Sequence, residues 1–317
     1  MTFFARSLVG PGSNWDPAIV TGYAKYDGQL KSKSELRMMR AAAGRWRSLD
    51  DHRYRRAVDA VCNGDDGRNE PLGGRNRPAS RAYGKLWEII EQLPIAPRVW
   101  MSAHLGEAPG GFVQALADVG KNQHSRVSLA QNWRYVAVSL PAAVGGLDWR
   151  LSERDLRACV TGDPIDADLL DDSVRDRLVQ AYGGQCQIVT ADGGFEVDYE
   201  KTTQECASLD LIRREFELAM ALLDQRCADA ACVIKVFDTE NAETQALVAD
   251  AAMRFDRAWI VKPRSSRIVN AERYFVGAGV RNRATTLLCV QQAQAAFGAR
   301  QCRALAKVGD LLQSMSE

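Results

Sequence analysis

The chain has 317 residues, 46% of them hydrophobic and 26% charged, with a formal net charge of +1. That balance excludes a disordered, collagen-like or disulfide-scaffold chain and allows one large domain with a substantial extension. No apolar run reaches the ~18 residues of a membrane span, and the first residues lack a charged-then-apolar secretory signal, so the sequence reads as a soluble intracellular protein, cytoplasmic or nuclear.

Helical patterning comes first, over 33–47 and 52–61, in a stretch where 14 Lys+Arg stand against 7 Asp+Glu between Lys31 and Lys85. This segment, including Trp46 and Tyr54, suits RNA docking, because rings stack on splayed bases and Arg binds phosphate. It suits a packed helical subdomain equally well. A loop dense in Gly, Asn, Asp and Pro, NGDDGRNEPLGGRNRPAS over 63–80, then marks a boundary near residue 75. Beyond it the pattern predicts a helix over 80–92, a strand VWMSA, a Gly-rich turn and a helix over 110–119. Strand-like runs follow at YVAVSL, QIVTA, ACVIKVF, AWIVK and RYFVGA, with helices over 166–182, 206–225 and 240–254 between most of them. Alternating strand and helix implies a parallel sheet covered on both faces. Only a loop separates the last two runs, which predicts an antiparallel hairpin at the sheet edge. From about residue 288 the chain closes in helix. Charge is segregated along it, since residues 151–200 hold 12 acidic against 4 basic side chains.

Eight cysteines form no CxxC pair, and His52, His104 and His124 are the only histidines, so zinc-ribbon, thioredoxin-type and histidine-rich metal chemistry is poorly supplied. Three strings remain. In HLGEAPGGF, residues 104–112, glycines between a strand and a helix let the backbone approach a ligand, and the helix N-terminus offers unpaired N–H groups. It is neither the dinucleotide pattern nor the phosphate loop, and a tight strand-to-helix turn reads the same way. In TADGGFEVD, Asp192 stands just beyond a strand, where it would face the same crevice; a lone Asp before Gly-Gly also serves as a turn residue. In VIKVF, Lys235 interrupts an apolar strand, and an ammonium there must reach a charged or solvated pocket, or snorkel at an edge.

Together these strings resemble the FtsJ-like RNA ribose 2′-O-methyltransferases, and SRAYGKLWEI and NAERYFV extend the likeness. The segments ADGGF, VIKVFD and VKPRSSRIVNAERYFVGAG are most similar to the branch that methylates mRNA caps, while SRAYGKL resembles the ribosomal branch. The resemblance implies an α/β, Rossmann-like S-adenosylmethionine-dependent methyltransferase fold. Its sheet would be mostly parallel and seven-stranded, with one antiparallel strand and helices on both faces. The chain would divide into a basic helical N-terminal extension (1–75), the methyltransferase domain (76–287) and a C-terminal helical tail (288–317).

The resemblance assigns catalysis to Lys85, Asp192, Lys235 and Glu272, with Lys235 as the base and Lys85 beside it lowering its pKa. S-adenosylmethionine would be held by Gly106, Glu107, Ala108, Pro109, Gly110, Gly111, Phe112, Ser139, Leu140 and Asp192, with Asp163 at the adenine edge. No metal is required, because the methyl group is already activated. The implied partner is RNA, with capped mRNA ahead of ribosomal RNA. One departure stands out: His104 occupies the end of the first strand, where the family usually has an acid. A methyltransferase-like binding or assembly protein without catalysis is the reading that this departure supports.

Overall fold

The structure, a computed structural model, describes residues 4–7, 33–63, 77–122, 125–195, 203–267, 269–280 and 287–314. The boundary predicted near residue 75, most of its loop, His124 and Asp198 lie outside them.

One eight-stranded sheet organises the molecule. Its strands are β1 (Phe4–Ser7), β2 (Arg98–Leu105), β3 (Ser128–Ser139), β4 (Ile165–Asp166), β5 (Ile188–Ala191), β6 (Ala231–Val236), β7 (Phe255–Lys262) and β8 (Arg273–Val280). The spatial order is β1-β7-β8-β6-β5-β2-β3-β4. The neighbours from β4 through β6 run parallel, whereas β8 is antiparallel to both β6 and β7. The inner parallel strands β5 and β6 are almost wholly buried, as their near-continuous apolar runs require when helices cover both faces.

Helices α3 (Ala82–Gln92) and α4 (Gly111–Val119) cover one face, around Leu86, Ile90, Phe112 and Leu116. Helices α6 (Asp172–Tyr182), α7 (Gln204–Leu222) and α8 (Ala242–Met253) cover the other, around Leu178, Ile212, Phe216 and Val248. A short α5 (Glu153–Leu156) starts at a reciprocal capping box between Ser152 and Asp155. Helices α1 (Lys33–Leu49), α2 (Asp51–Asn63) and α9 (Leu287–Ser314) form a separate apolar cluster around Ala43, Val58, Leu305 and Val308.

The structure departs from three expectations, and of the two roles open to Trp46 and Tyr54 it shows packing. The last two strand runs do pair as a hairpin, but β8 is inserted between β6 and β7, and Phe4–Ser7 pairs along the outer side of β7. The N-terminal extension is therefore not purely helical, and the sheet has an eighth strand. The helix predicted over 166–182 begins only at Asp172: Asp166 is in β4, Asp168 closes a turn on Leu170 N, and Asp171 caps the helix through Ser173 N. Aspartates in this run satisfy backbone donors at turns and caps, which competes with helix. Trp46 and Tyr54 are partly buried in the packing of α1, α2 and α9, and the Trp46 ring lies directly over Gly309.

Candidate functional site

In this order the chain leaves β2 toward β3 on one side, while β5 lies on the other. A reversal of strand order of this kind leaves a ligand crevice outside the carboxyl ends of the two strands. Both strings with a polar or Gly-rich turn emerge there. Gly106, directly after β2, has φ +58°, and a Cβ on it would stand 2.7 Å from Gly193 Cα, so the turns after β2 and β5 touch through backbone. Only glycine permits that approach.

A cleft of about 420 Å³, within the range of small-molecule sites, opens at this point. Gly106, Ala108 and Pro109 form one side; Ser139 and Leu140 from the end of β3, with Asp168, Leu169 and Leu170 beyond β4, form another. Lys85, Asp192, Lys235 and Glu272 all line it, although they come from α3, the β5 turn, β6 and the approach to β8.

These four groups form two hydrogen-bonded pairs. Lys85 Nζ donates to Glu272 Oε2 at 2.8 Å, and Ser266 Oγ donates to the other carboxylate oxygen at 2.8 Å. Lys235 Nζ donates to the Asp192 carbonyl at 2.5 Å and lies 3.5 Å from Asp192 Oδ1, which also accepts from Tyr274 OH at 2.8 Å. Burial would raise the Glu272 pKa, but Lys85, Lys235 and Lys262 outweigh it and hold the carboxylate ionised. Lys262, which donates to the Asn270 and Glu272 carbonyls, is itself lowered to about 7 by burial.

For Lys235 the balance is opposite to the sequence expectation. Burial favours the neutral amine, but Asp192, Glu272 and Glu215 outweigh it and raise the pKa. Lys85 is committed to Glu272 and does not produce the expected lowering. Glu215, on α7, went unrecognised in the sequence because it sits in a charged helical stretch, RREFE, that looks solvated. It is fully buried, accepts from Gly193 N at 3.2 Å through Oε1, and has no partner for Oε2 among the described residues.

Other expected ligands are placed elsewhere. Glu107 is buried and spends Oε1 on Phe112 N and Val113 N, capping α4; its Oε2 has no partner among the described residues. Burial, reinforced by Asp192, raises its pKa well above the usual carboxylate range. Gly110 and Gly111 pack against Leu151 and Ser80, Phe112 is in the core, and none of these four lines the cleft. Asp163 is exposed before β4 and does not line the cleft; Asp168, two residues past β4, occupies the wall instead. A strand of only two residues leaves little periodic signal from which to choose between them.

His104 is also outside the cleft. Its Nδ1 bonds Thr190 Oγ1 at 2.8 Å and its Nε2 bonds Ser102 Oγ at 3.0 Å, bridging β2 to β5, and burial lowers its pKa to about 3. The imidazole is a neutral core link. Among the described residues, no helix is long and apolar enough to cross a membrane.

Residues 78–280 match the family model described as FtsJ-like methyltransferase. A cap-specific mRNA (nucleoside-2'-O-)-methyltransferase 1 from Leishmania braziliensis is 33% identical over 225 residues, 64% of this chain and 54% of that protein. Its namesake from Trypanosoma cruzi is 30% identical over 253 residues, 73% of this chain and 64% of that protein. A ribosomal RNA large subunit methyltransferase E from Anaeromyxobacter is 28% identical over 206 residues, 65% of each chain. The chain thus spans between about half and two thirds of the length of these relatives. The matched span runs from just before α3 to the last residue of β8, enclosing all four polar groups of the cleft, and the chain belongs to the FtsJ-like methyltransferase family.

Proposed function

We propose that this protein is an S-adenosylmethionine-dependent RNA ribose 2′-O-methyltransferase acting at the 5′ cap region of mRNA. The observation that carries the reading is the convergence of Lys85, Asp192, Lys235 and Glu272 on one cleft at the carboxyl ends of the strands. Relatives named for cap methylation reach 33% identity, against 28% for one named for ribosomal RNA, which favours the cap. The same four groups would serve a ribosomal substrate.

The cleft fits a cationic methyl donor. Gly106 and Gly193 make a backbone cradle that any Cβ would fill, and behind it stand two buried carboxyls, Glu107 and Glu215, each with an unpartnered oxygen. Gly106, Ala108, Pro109, Ser139, Leu140 and Asp168 would hold the donor. S-adenosylmethionine supplies a methyl group activated by positive sulfur, and that same charge disfavours the ammonium form of Lys235. Lys235 Nζ then accepts the 2′-hydroxyl proton as the oxygen attacks. Asp192, held by Tyr274, keeps that amine in place, and Glu272, fixed by Lys85 and Ser266, orients Lys85 toward the 2′-oxygen.

The test is methyl transfer from labelled donor to capped and uncapped RNA, with the modified nucleoside located by mass spectrometry. Label on the ribose of the first transcribed nucleotides of capped RNA is expected; label that requires ribosomal particles reassigns the substrate, and no label in either defeats the reading. Lys235→Ala and Lys235→Arg should each lower the rate by roughly 10²-fold or more while donor affinity holds. Because the Lys235 pKa is raised, wild-type kcat/KM should still be climbing above neutral pH. An active Lys235→Arg enzyme refutes Lys235 as the base.

A further inference from the structure

Helix α4 starts at the Gly-rich turn and spans about 13 Å. At its far end a second cleft, of about 510 Å³, opens between α4, the first half of β3 and α5. There the β2–β3 register jumps, with Val99 paired to Leu129 but Met101 to Arg134, so residues 130–133 bulge outward. Gln131, Asn132 and Trp133 of the bulge line the cleft.

Four cations face this space, Lys121, Arg134, Arg154 and Arg157, against one carboxylate, Asp155. Asp155 is buried and engaged, its Oδ2 accepting from Ser152 N, Ser152 Oγ and Gln114 Nε2 at 3.1, 2.8 and 3.0 Å. Arg134 donates to the Cys159 carbonyl at 3.0 Å, and Lys121 stands 3.7 Å from Asp118. Arg154 and Arg157 are exposed and make no ion pair or side-chain hydrogen bond with a described residue. They are also the only basic residues among the first 24 of the acidic 151–200 segment. Concentrating unpaired guanidinium groups in one concavity raises the local positive potential, which neither packing nor capping requires.

The two clefts are linked through the segment that follows β3. Arg150 N donates to the Pro109 carbonyl at 3.0 Å, and Leu151 packs on Gly110, so the segment that carries Arg154 and Arg157 sets out from the rim of the first cleft.

We propose that this second cleft binds the phosphodiester backbone of the RNA substrate, away from the nucleotide that is methylated; the proposal rests on the reading of the first cleft as RNA-modifying. Guanidinium forks match phosphate oxygens, and contacts of this kind position RNA without reading its sequence.

The experiment uses the full chain, the double variant Arg154→Ala/Arg157→Ala, its Arg154→Lys/Arg157→Lys counterpart, and Arg175→Ala/Arg177→Ala on α6 as a charge-matched control. Binding of a long, labelled single-stranded RNA is measured across a salt series, alongside KM for that RNA and for a capped dinucleotide. Losing two phosphate contacts should weaken long-RNA binding about tenfold and flatten the log–log salt slope by about 1.4. KM should rise for long RNA only, with donor affinity and melting temperature unchanged. The Lys pair should keep the slope, and the α6 control should match wild type. A double-Ala variant that binds with wild-type affinity and slope, or whose loss of binding the α6 control equals, overturns the second cleft. Wild-type protein that binds RNA with the expected slope but transfers no methyl group instead overturns the catalytic reading. Failure of wild type to bind RNA overturns both.

Discussion

Glu215→Gln separates the electrostatics behind the cleft from its shape. The wild-type carboxyl is fully buried, with one hydrogen bond from Gly193 N and an unpartnered Oε2. Burial pushes its pKa from 4.5 to about 8; Lys235 opposes that rise and Asp192 adds to it. The folded state therefore prefers the protonated acid, while the unfolded chain ionises near the ordinary value. Such a group's contribution is fully present below about pH 4.5 and is lost as pH climbs to about 8, a loss of about 4 kcal/mol between pH 5 and pH 9. Against a typical stability of about 5–15 kcal/mol that is a large effect. Gln has the same shape and does not titrate, but its amide N–H has no acceptor, at a cost of about 1 kcal/mol. Urea unfolding of both proteins should therefore find the variant slightly less stable near pH 5 and more stable by about 3 kcal/mol near pH 9, with unchanged slopes. A stability difference that stays constant across this range would show that Glu215 titrates normally and refute the reasoning.

Two further substitutions probe the scaffold of the site. Gly106→Ala forces a Cβ to 2.7 Å from Gly193 Cα at φ +58°; it should cost about 2–4 kcal/mol and abolish donor binding by calorimetry, whereas Gly162→Ala, at φ +84° with open space around it, should cost only about 1–2 kcal/mol and leave binding intact. Asp238 lies between two buried guanidinium groups, Arg40 of α1 and Arg273 of β8, and Arg273 directly follows Glu272. Asp238→Asn removes the charge that both guanidinium groups share, so unfolding should show a loss of about 3–5 kcal/mol, and a variant as stable as wild type would mean that the triad does not tie α1 to the sheet.

Much of the architecture was already legible in local pattern. Apolar runs of four to eight residues alternating with helical periods announced β2, β5, β6, β7 and β8 and the helices between them, because those periods follow from backbone geometry alone. HLGEAPGGF and TADGGF were legible as turns because glycine is the residue that tolerates positive φ and close backbone approach, and Lys235 stood out because an ammonium in an apolar strand needs an external partner. What sequence patterning did not contain was adjacency. Nothing local says that β8 enters between β6 and β7, that Phe4–Ser7 continues the sheet, or that Trp46 and Tyr54 are consumed by packing on α9. The protonation of the site was equally hidden. Lys85 and Glu272 are 187 positions apart, and Glu215 reaches Lys235 only because α7 packs its inward face behind the β5 turn. Secondary structure depends on neighbours along the chain, but a pKa depends on burial and on every charge within a few ångströms, so the direction of the Lys235 shift was settled only once the fold had brought three carboxyls around it.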